Sequence, residues 1–451
     1  MSENFHCVMG AHIEPGEEIT AAAISAAKHE LSDDADLVKE MGDMSIGHDH
    51  SHDHGDEEGS FCEESSLGNM EKDEQDSMLS TLGSFYLYRR RAHSHLTHRR
   101  RVAFCNMPLY QQSILHGEGI EFVYKTLNGL DIAIESNAEI AEKIFHHSIE
   151  TFGIDTLALA EKEWLDSVTT EDHDKVRSTL KQFYRDWSAE GAAERAVCYT
   201  PVMEELERRF GSLAAKDKAK VQVLVPGAGL GRLAFDIAVA GYSAQGNENS
   251  YHQLMASNYI LNYTTKKEQH TLYPFINSFS NHRTRENQMR GVKIPDVHPS
   301  TPLADAAHGD RFSMAAGDFV DSYSGTETAG AFNVVATVFF IDTAVNIFSY
   351  LETIWKCLCD GGVWINYGPL LWHWENREAD LKLAGEDAQG MELTADEVVK
   401  VAEALGFKLE HREKGQKGEY IGAGEDSMLK WVYEGEFWVM TKVPKVTKYT
   451  R

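Results

Sequence analysis

The sequence is short of cysteine, proline and basic residues, and each shortage excludes something. Of 451 residues six are Cys and ten are Pro. Cys7, Cys62, Cys105 and Cys198 are scattered, and only Cys357 and Cys359 lie close together. A single intervening residue suits neither a redox pair nor a zinc knuckle, so a reducing compartment is expected. No apolar run reaches the roughly eighteen residues that a membrane helix requires. The opening "MSENFHCVMGAHIEPGEE" has no signal-peptide apolar stretch. These absences predict a cytoplasmic or nuclear chain, or one in both places, without a membrane partner. Lys and Arg number 43 against 71 Asp and Glu, a net charge of −28. Affinity for phosphate polymers comes from clustered cations, so the balance argues against nucleic acid as a partner.

What is present suffices for a globular protein. Hydrophobic residues make up 42% and aromatic residues 10%, and the length allows one large domain with extensions or two domains. Residues 1–80 read as a low-complexity acidic tail. "GHDHSHDHGDEEGS" sets His48, His50, His52 and His54 on alternate positions among acids, with too little apolar area to offset the entropy of ordering. Imidazole and carboxylate together suit Zn²⁺, Ni²⁺ or Cu²⁺, but no scaffold fixes their geometry, so a solvated linker is expected and no catalytic metal. Residues 81–215 read as helical, from apolar residues at three- and four-residue spacing in "VRSTLKQFYRDWSAEGAAERAVCYTPVMEELERRF". "YRRRAHSHLTHRRR" gathers six arginines, read as a charged helix face paired with neighbouring acids rather than a nucleic-acid patch.

Residues 216–451 alternate strand and helix. "VQVLV", "SAQGNE", "FNVVATVFFID" and "GGVWINYGPL" read as strands, separated by "GRLAFDIAVAGY", "SYHQLMASNYILN" and "NIFSYLETIWKCLC" as helices. "TADEVVKVAEALGF" reads as a capped helix, and "KLEHRE" and "MLKWVYEGEFWVMTK" as closing strands. About 263–312 lacks periodicity and reads as an insertion or long loop. The alternation predicts an α/β fold, a parallel sheet with helices on both faces, with the last two strands forming an antiparallel edge.

"VLVPGAGLGRLAFDIA" carries the chemistry. Gly227, Gly229 and Gly231 fall on alternate positions, whereas the dinucleotide fingerprint G-x-G-x-x-G demands a glycine where Arg232 stands. A pyrophosphate is therefore disfavoured, while the glycines still let a ligand approach the backbone. Glu248, at the tip of the second strand, can accept from a ribose diol. Asp318 in "MAAGDFVD" can accept from an adenine amino group, and Phe319 can cover one face of the ring. Glycine turn, ribose acid and adenine acid in this order resemble the S-adenosylmethionine site of a Rossmann-like methyltransferase, with the class I sheet preceded here by helices.

A narrower resemblance rests on "LKQFYRDWSAEG", "ERAVCYTPV", "LVPGAGLGRLAFDIA", "GYSAQGNE", "FFIDTA", "GVWINYGPLLWHWEN" and "DSMLKWVYE". From about Lys175 to the C-terminus the sequence resembles the carnosine N-methyltransferase family. That resemblance implies methyl transfer from S-adenosyl-L-methionine to the imidazole of a small dipeptide, carnosine, giving anserine. It implies that Gln182, Arg185 and Thr337 touch the cofactor, and that Asp342, His373 and Tyr433 line the substrate pocket, with Asp342 and His373 catalytic. Gln182 and Arg185 lie three apart on one helical face, and Arg185 can pair with the methionine carboxylate. Tyr367, Trp372, Trp374 and Trp431 are candidate walls. Another histidine-containing peptide, protein or imidazole metabolite as acceptor stays open, as do a non-catalytic module of the same fold and the oligomeric state, a homodimer included.

Overall fold

The computed structural model describes residues 72–117, 119–154, 159, 162–304, 311–376, 390–420 and 427–443. Seven strands form one sheet: β1 (Gln222–Pro226), β2 (Ser243–Glu248), β5 (Phe312–Ala316), β6 (Phe332–Val338), β7 (Leu358–Gly368), β8 (Phe407–Glu419) and β9 (Val432–Lys442). Their spatial order is β5-β2-β1-β6-β7-β9-β8. The first five run parallel, and β9 pairs antiparallel with both β7 and β8. The closing antiparallel edge expected from the sequence is therefore present, with the final strand inserted between β7 and β8.

Alternation along the strands divides the core. Val223 and Val225 face α4 (Ala192–Phe210) and α5 (Arg232–Val239), in a cluster with Val202, Leu206, Ala234 and Ile237. Leu224 points the other way, into a cluster with Val335, Trp364 and Trp438. That face is covered by α7 (Ile347–Cys357) and α8 (Ala395–Leu405). α8 begins at a capping box between Thr394 and Glu397 and stops at Gly406, whose φ of 111° is easy only for glycine.

The helical region packs as a third cluster around α1 (Lys72–Tyr86), α2 (Asn128–Thr151) and α3 (Thr170–Trp187), with α6 (Tyr251–Asn258) against them. Two expectations need correction. The tail does not extend to residue 80: α1 starts at Lys72, because Met78, Leu82 and Phe85 recur at helical spacing and are buried. The His tract lies outside the described residues. The stretch read as loop from about 263 to 312 holds a two-stranded antiparallel sheet of β3 (His270–Leu272) and β4 (Val292–Ile294). Its Leu272, Phe275, Ile276, Val292 and Ile294 complete the helical core, and its apolar runs are too short to show a period.

The single long helical pattern of the sequence breaks between α3 and α4. α3 opens with a capping box, Thr169 to Asp172. At Gly191 a Cβ would fall 2.1 Å from the Tyr184 carbonyl oxygen, so only glycine lets the chain turn there. The arginine-rich stretch behaves in part as a paired face: Arg89 reaches Glu135 and Glu142, and Arg101 reaches Asp131. Among the described residues no helix is long and apolar enough to cross a membrane.

Arg232 joins the three parts. From the first turn of α5 its guanidinium donates to the Asp186 carbonyl at 2.8 Å and to Asp296 at 2.6 Å, and Nε donates to Asp236 at 2.9 Å. Arg195 of α4 reaches the same Asp296 at 2.9 Å, and the Asp296 amide donates to the Trp187 carbonyl at 2.8 Å. Arg232 and Arg195 are both buried. Breaking a buried pair leaves an uncompensated charge, so Arg232→Met should lower unfolding stability by about 3 kcal/mol in urea titration. Lys220→Ala, which removes an exposed pair with Asp217, should change it by less than about 1 kcal/mol. Equal effects for both would show that the Arg232 contacts contribute nothing special.

Candidate active site

In an open parallel sheet a ligand crevice forms outside the carboxyl ends of the strands, where the strand order reverses. Here the reversal lies between β1 and β6, which are paired neighbours. The glycine turn leaves β1 there, and the turn containing Asp342 leaves β6 beside it. Gly227, Gly229 and Gly231 have φ of 63°, 58° and 77°, all left-handed. A Cβ at Gly227 would sit 2.5 Å from Phe340 Cδ2. The bare backbone of one turn is thus what lets the other close against it.

Glu248 ends β2 and is buried. Its Oε2 accepts from the Gly229 amide at 2.9 Å, and its Oε1 accepts from the amides of Asn249 and Ser250, each at 2.9 Å. Burial pushes its carboxyl up, against the pull of those three donors. The carboxylate therefore braces the glycine turn, with one lone-pair direction on Oε2 left for a ribose hydroxyl. Asp318 caps the short helix Phe319–Tyr323, its Oδ1 accepting from Val320 and Asp321. Phe319 is buried against Tyr323, Phe340 and Tyr350, so its ring belongs to the core. Thr337 is fully buried: its hydroxyl donates to Asn366 Oδ1 at 2.8 Å and accepts from Trp364 Nε1 at 2.8 Å. Its side chain is engaged inside the sheet.

On α3, Arg185 grips Asp186 through Nε at 2.7 Å and Nη2 at 3.1 Å. Its Nη1 has no partner among the described residues. One turn earlier, Gln182 Oε1 is buried without a hydrogen-bond partner. An orphaned acceptor costs stability unless a ligand supplies a donor. An α-amino acid end meets both needs, its ammonium for Gln182 and its carboxylate for Arg185. With the bare glycine backbone and Glu248, the residues fit S-adenosylmethionine.

Beside Arg185 opens a narrow pocket lined by Glu194, Val197, Cys198, Phe339, Tyr367, Gly418, Glu419, Tyr420 and Tyr433. Phe339, Tyr420 and Tyr433 meet ring to ring at centroid distances of 5.4 to 5.7 Å. The Arg185 guanidinium lies 5.6 Å from the Tyr420 ring, within cation–π reach. Phe339 has φ of 52°, an uncommon state for a large side chain. Its amide is fixed by the Tyr367 carbonyl at 2.9 Å. Backbone strain of this kind persists where surroundings over-determine it, and it concentrates at functional sites. Burial pushes the Cys198 thiol up to about 12, so it is not a nucleophile.

Asp342, in the turn Ile341–Thr343, is 4% exposed. Its Oδ2 accepts from the Leu371 amide at 2.9 Å, and its carbonyl accepts from the His373 amide at 3.1 Å. Trp374 Nε1 donates to the Thr343 carbonyl at 3.1 Å. These bonds fasten the segment after β7 to the turn after β6. Burial pushes the Asp342 carboxyl up, opposed by the Leu371 amide and by His373. Burial raises the Tyr433 hydroxyl as well, with the charges of Tyr420 and Asp342 adding to it. Asp342 thus interacts electrostatically with both His373 and Tyr433, which lie far from it in sequence. His373 is exposed, not in the core. Of the candidate walls, Tyr367 lines the pocket, as does Tyr433, expected there as a substrate contact. Trp372 donates to the Leu393 carbonyl, and Trp431 is 64% exposed.

Sequence reasoning missed Phe339, Tyr420 and Asp186. Asp186 had a signal, an acid directly following Arg185. Nothing in "FFID" announces a left-handed Phe339, and Tyr420 stands in a polar stretch without pattern.

The family model for carnosine N-methyltransferase matches residues 162–444. The carnosine N-methyltransferase of Schizosaccharomyces pombe is 41% identical over 374 residues, covering 82% of this chain and 97% of that protein. That of Rattus norvegicus is 37% identical over 372 residues, covering 82% and 87%. Among solved structures, the magnesium protoporphyrin IX methyltransferase of Synechocystis with bound SAH is 9% identical, covers 60% of this chain and 95% of its own, and has a TM-score of 0.34.

Glu248→Ala and Asp318→Ala should each weaken S-adenosylhomocysteine binding by about ten- to a hundredfold, because a hydrogen bond to a charged acceptor contributes about 1.5–3 kcal/mol. Calorimetry on variants whose folding has been verified checks this. Full affinity in both would remove the two acids from the cofactor site.

Proposed function

The chain belongs to the carnosine N-methyltransferase family, and on that premise we propose that it methylates an imidazole nitrogen of carnosine, β-alanyl-histidine, to give anserine. The observation that carries this reading is an aromatic pocket lined by Arg185 and Tyr433, with the buried carboxylate of Asp342 close enough to interact electrostatically with both Tyr433 and His373. S-adenosylmethionine, when bound, supplies a methyl group on a sulfonium, open to in-line attack. Gln182 and Arg185 hold its amino-acid end, while Glu248, Asp318 and the glycine turn hold its adenosine end.

An imidazole attacks only when neutral, with its lone pair on one nitrogen and its proton on the other. Asp342 selects that tautomer. Its Oδ2 is held by Leu371, so Oδ1 is the atom that accepts the ring N–H. As the ring nitrogen forms its new bond, positive charge develops on the imidazole, and the buried carboxylate opposes it at close range in low dielectric. The turn is fixed by the Leu371 and His373 amides before substrate arrives, so little reorganisation accompanies the reaction. Phe339, Tyr420 and Tyr433 form walls that exclude water and face a cationic ring with π-density. His373, exposed and acting electrostatically on Asp342, serves as polar partner or as acceptor for the proton the product releases. Positioning of the two reactants contributes further several kcal/mol of barrier reduction, on the order of what well-oriented intramolecular reactions show.

Mass spectrometry of β-alanyl-histidine incubated with the chain and a methyl-labelled donor tests the reaction. One labelled methyl on the imidazole is expected, with none on the β-alanyl amine. Label on a histidine-bearing protein but not on the dipeptide would replace carnosine as the acceptor.

Asp342→Asn should lower kcat/KM for carnosine by about a hundredfold, the cost of one preorganised electrostatic partner, with S-adenosylhomocysteine affinity unchanged. The same variant should be as stable as the parent at neutral pH or more so. An acid whose folded pKa is raised favours folding below its ordinary pKa of 3.8 and loses that contribution as pH rises through the folded value. Replacing it by a neutral amide removes that loss. Thermal unfolding at pH 7 beside steady-state kinetics measures both; lost activity accompanied by lost stability would make Asp342 a structural cap. Activity should also fall in acid as the substrate ring protonates, near pH 6.5 or about there.

A further inference from the structure

A second cavity, about 300 Å³, opens among the helices. Arg91, His95 and Arg99 line it from the arginine-rich stretch, His173 and Arg177 from α3, and Asn277 from the insertion. The residues that pair with acids, Arg89 and Arg101, face elsewhere. Arg91 and Arg99 have no acidic partner among the described residues. Arg177 is bound to Asp174 through Nη2 and to the His173 carbonyl through Nε. In a chain of net charge −28, a pocket lined by three guanidinium groups, only one of them paired with an acid among the described residues, is a local inversion of sign. Burial holds both imidazoles down, and the same arginines add to the effect, Arg177 and Arg99 at His95 and Arg91 and Arg177 at His173.

Two further observations point to a ligand. His173 Nε2 and Asn277 Oδ1 are buried and have no hydrogen-bond partner. Native structures leave few such atoms unsatisfied, and each requires an explanation. The arginines present forks that match phosphate oxygens in pairs. A phosphate monoester brings about −1.5 to −2 charges and three acceptor oxygens, more than one carboxylate offers to so many cations. Asn277 Oδ1 needs the opposite, a hydroxyl or amino donor. The volume sits at the small end of metabolite sites, which begin at about 300 Å³.

From these we infer that the cavity is a second ligand site, which takes a small phosphate-bearing metabolite through Arg91, Arg99 and Arg177 while Asn277 accepts from a hydroxyl or amino group of the same molecule. It is distinct from the methyl-transfer site: Arg177 precedes Arg185 by eight residues on α3, about 12 Å at helical rise. The inference does not depend on which acceptor is methylated.

The test uses the full chain saturated with S-adenosylhomocysteine, so that the adenosine site is filled. Ribose 5-phosphate, AMP, inorganic phosphate, ribose and adenosine are titrated calorimetrically at about 0.15 M salt, where exposed charges are screened. Ribose 5-phosphate or AMP should bind, and ribose and adenosine should not. The double variant Arg91→Gln/Arg99→Gln, both at exposed positions, should fold normally and bind the phosphorylated ligand at least about tenfold more weakly. Asn277→Ala should weaken ribose 5-phosphate more than inorganic phosphate. Unchanged affinity in the double variant, or no preference for the phosphorylated over the unphosphorylated sugar, overturns the site. Inorganic phosphate binding as tightly as ribose 5-phosphate overturns its organic part. An RNA oligonucleotide that binds through Arg91 and Arg99 when the monophosphates do not would overturn it in favour of a polymer.

Discussion

The buried bonds of Arg232 are the constraint on which the rest of the molecule hangs. The residue occupies the position where a dinucleotide fold places its third glycine, and it uses that place differently. A glycine there lets helix and strand approach. An arginine there reaches sideways, to the last turn of α3, to Asp296 of the insertion and to Asp236 of its own helix. Arg195 adds a second hold on Asp296. The side chain that argued against pyrophosphate is thus the one that registers the helical region against the glycine turn. Gln182 and Arg185 ride on α3, so their position relative to Gly227 depends on this contact.

Charge is buried throughout the site, and it is not free. Glu248, Asp342 and Asp236 all have carboxyls pushed up, burial being the largest cause in each. For each of them the folded chain holds its proton more tightly than the unfolded one. Their burial therefore weakens the fold as pH rises through their raised values, and is relieved in acid. The Leu371 amide and the three amides around Glu248 offset part of that cost and fix where the oxygens point. A carboxylate held in low dielectric is also the one that responds most strongly when positive charge forms beside it. On the proposed reading, stability and chemistry pull in opposite directions at Asp342, whose burial costs the fold and strengthens its field on a cationic ring.

The pocket beside Arg185 is an aromatic collar built by three separate segments. Phe339 comes from the end of β6, Tyr420 from the end of β8 and Tyr433 from the start of β9. The antiparallel hairpin β8–β9 exists on this edge because β9 inserts next to β7 and returns its first residues to the mouth of the crevice. Left-handed Phe339 turns the chain, and Phe340 packs against bare Gly227 just ahead of the turn that carries Asp342. The geometry is cooperative: a side chain at Gly227 would displace Phe340, and with it the turn that carries the carboxylate.

Local pattern determined much of this protein. Period-two burial and short apolar runs defined the strands, three- and four-residue spacing the helices, and Thr394 with Glu397 a helix start, because backbone periodicity and capping are properties of neighbouring residues. The glycine turn and the acids after it were legible for the same reason, each lying at a strand end that the pattern located. Tertiary structure alone decided the rest. Whether Arg185 was an exposed charge or half of a buried pair, and whether His373 was buried or exposed, depended on what packed against them. Thr337 and Phe319 show the same limit: both sit where the motif put them, yet the side chains are taken up by Asn366, Trp364 and the aromatic core. The two-stranded element at 270–294 was invisible because three-residue strands carry no period, and its apolar residues find their purpose only against α2. Contacts between residues a hundred positions apart depend on the energy of the whole packed arrangement, which no local stretch of sequence records.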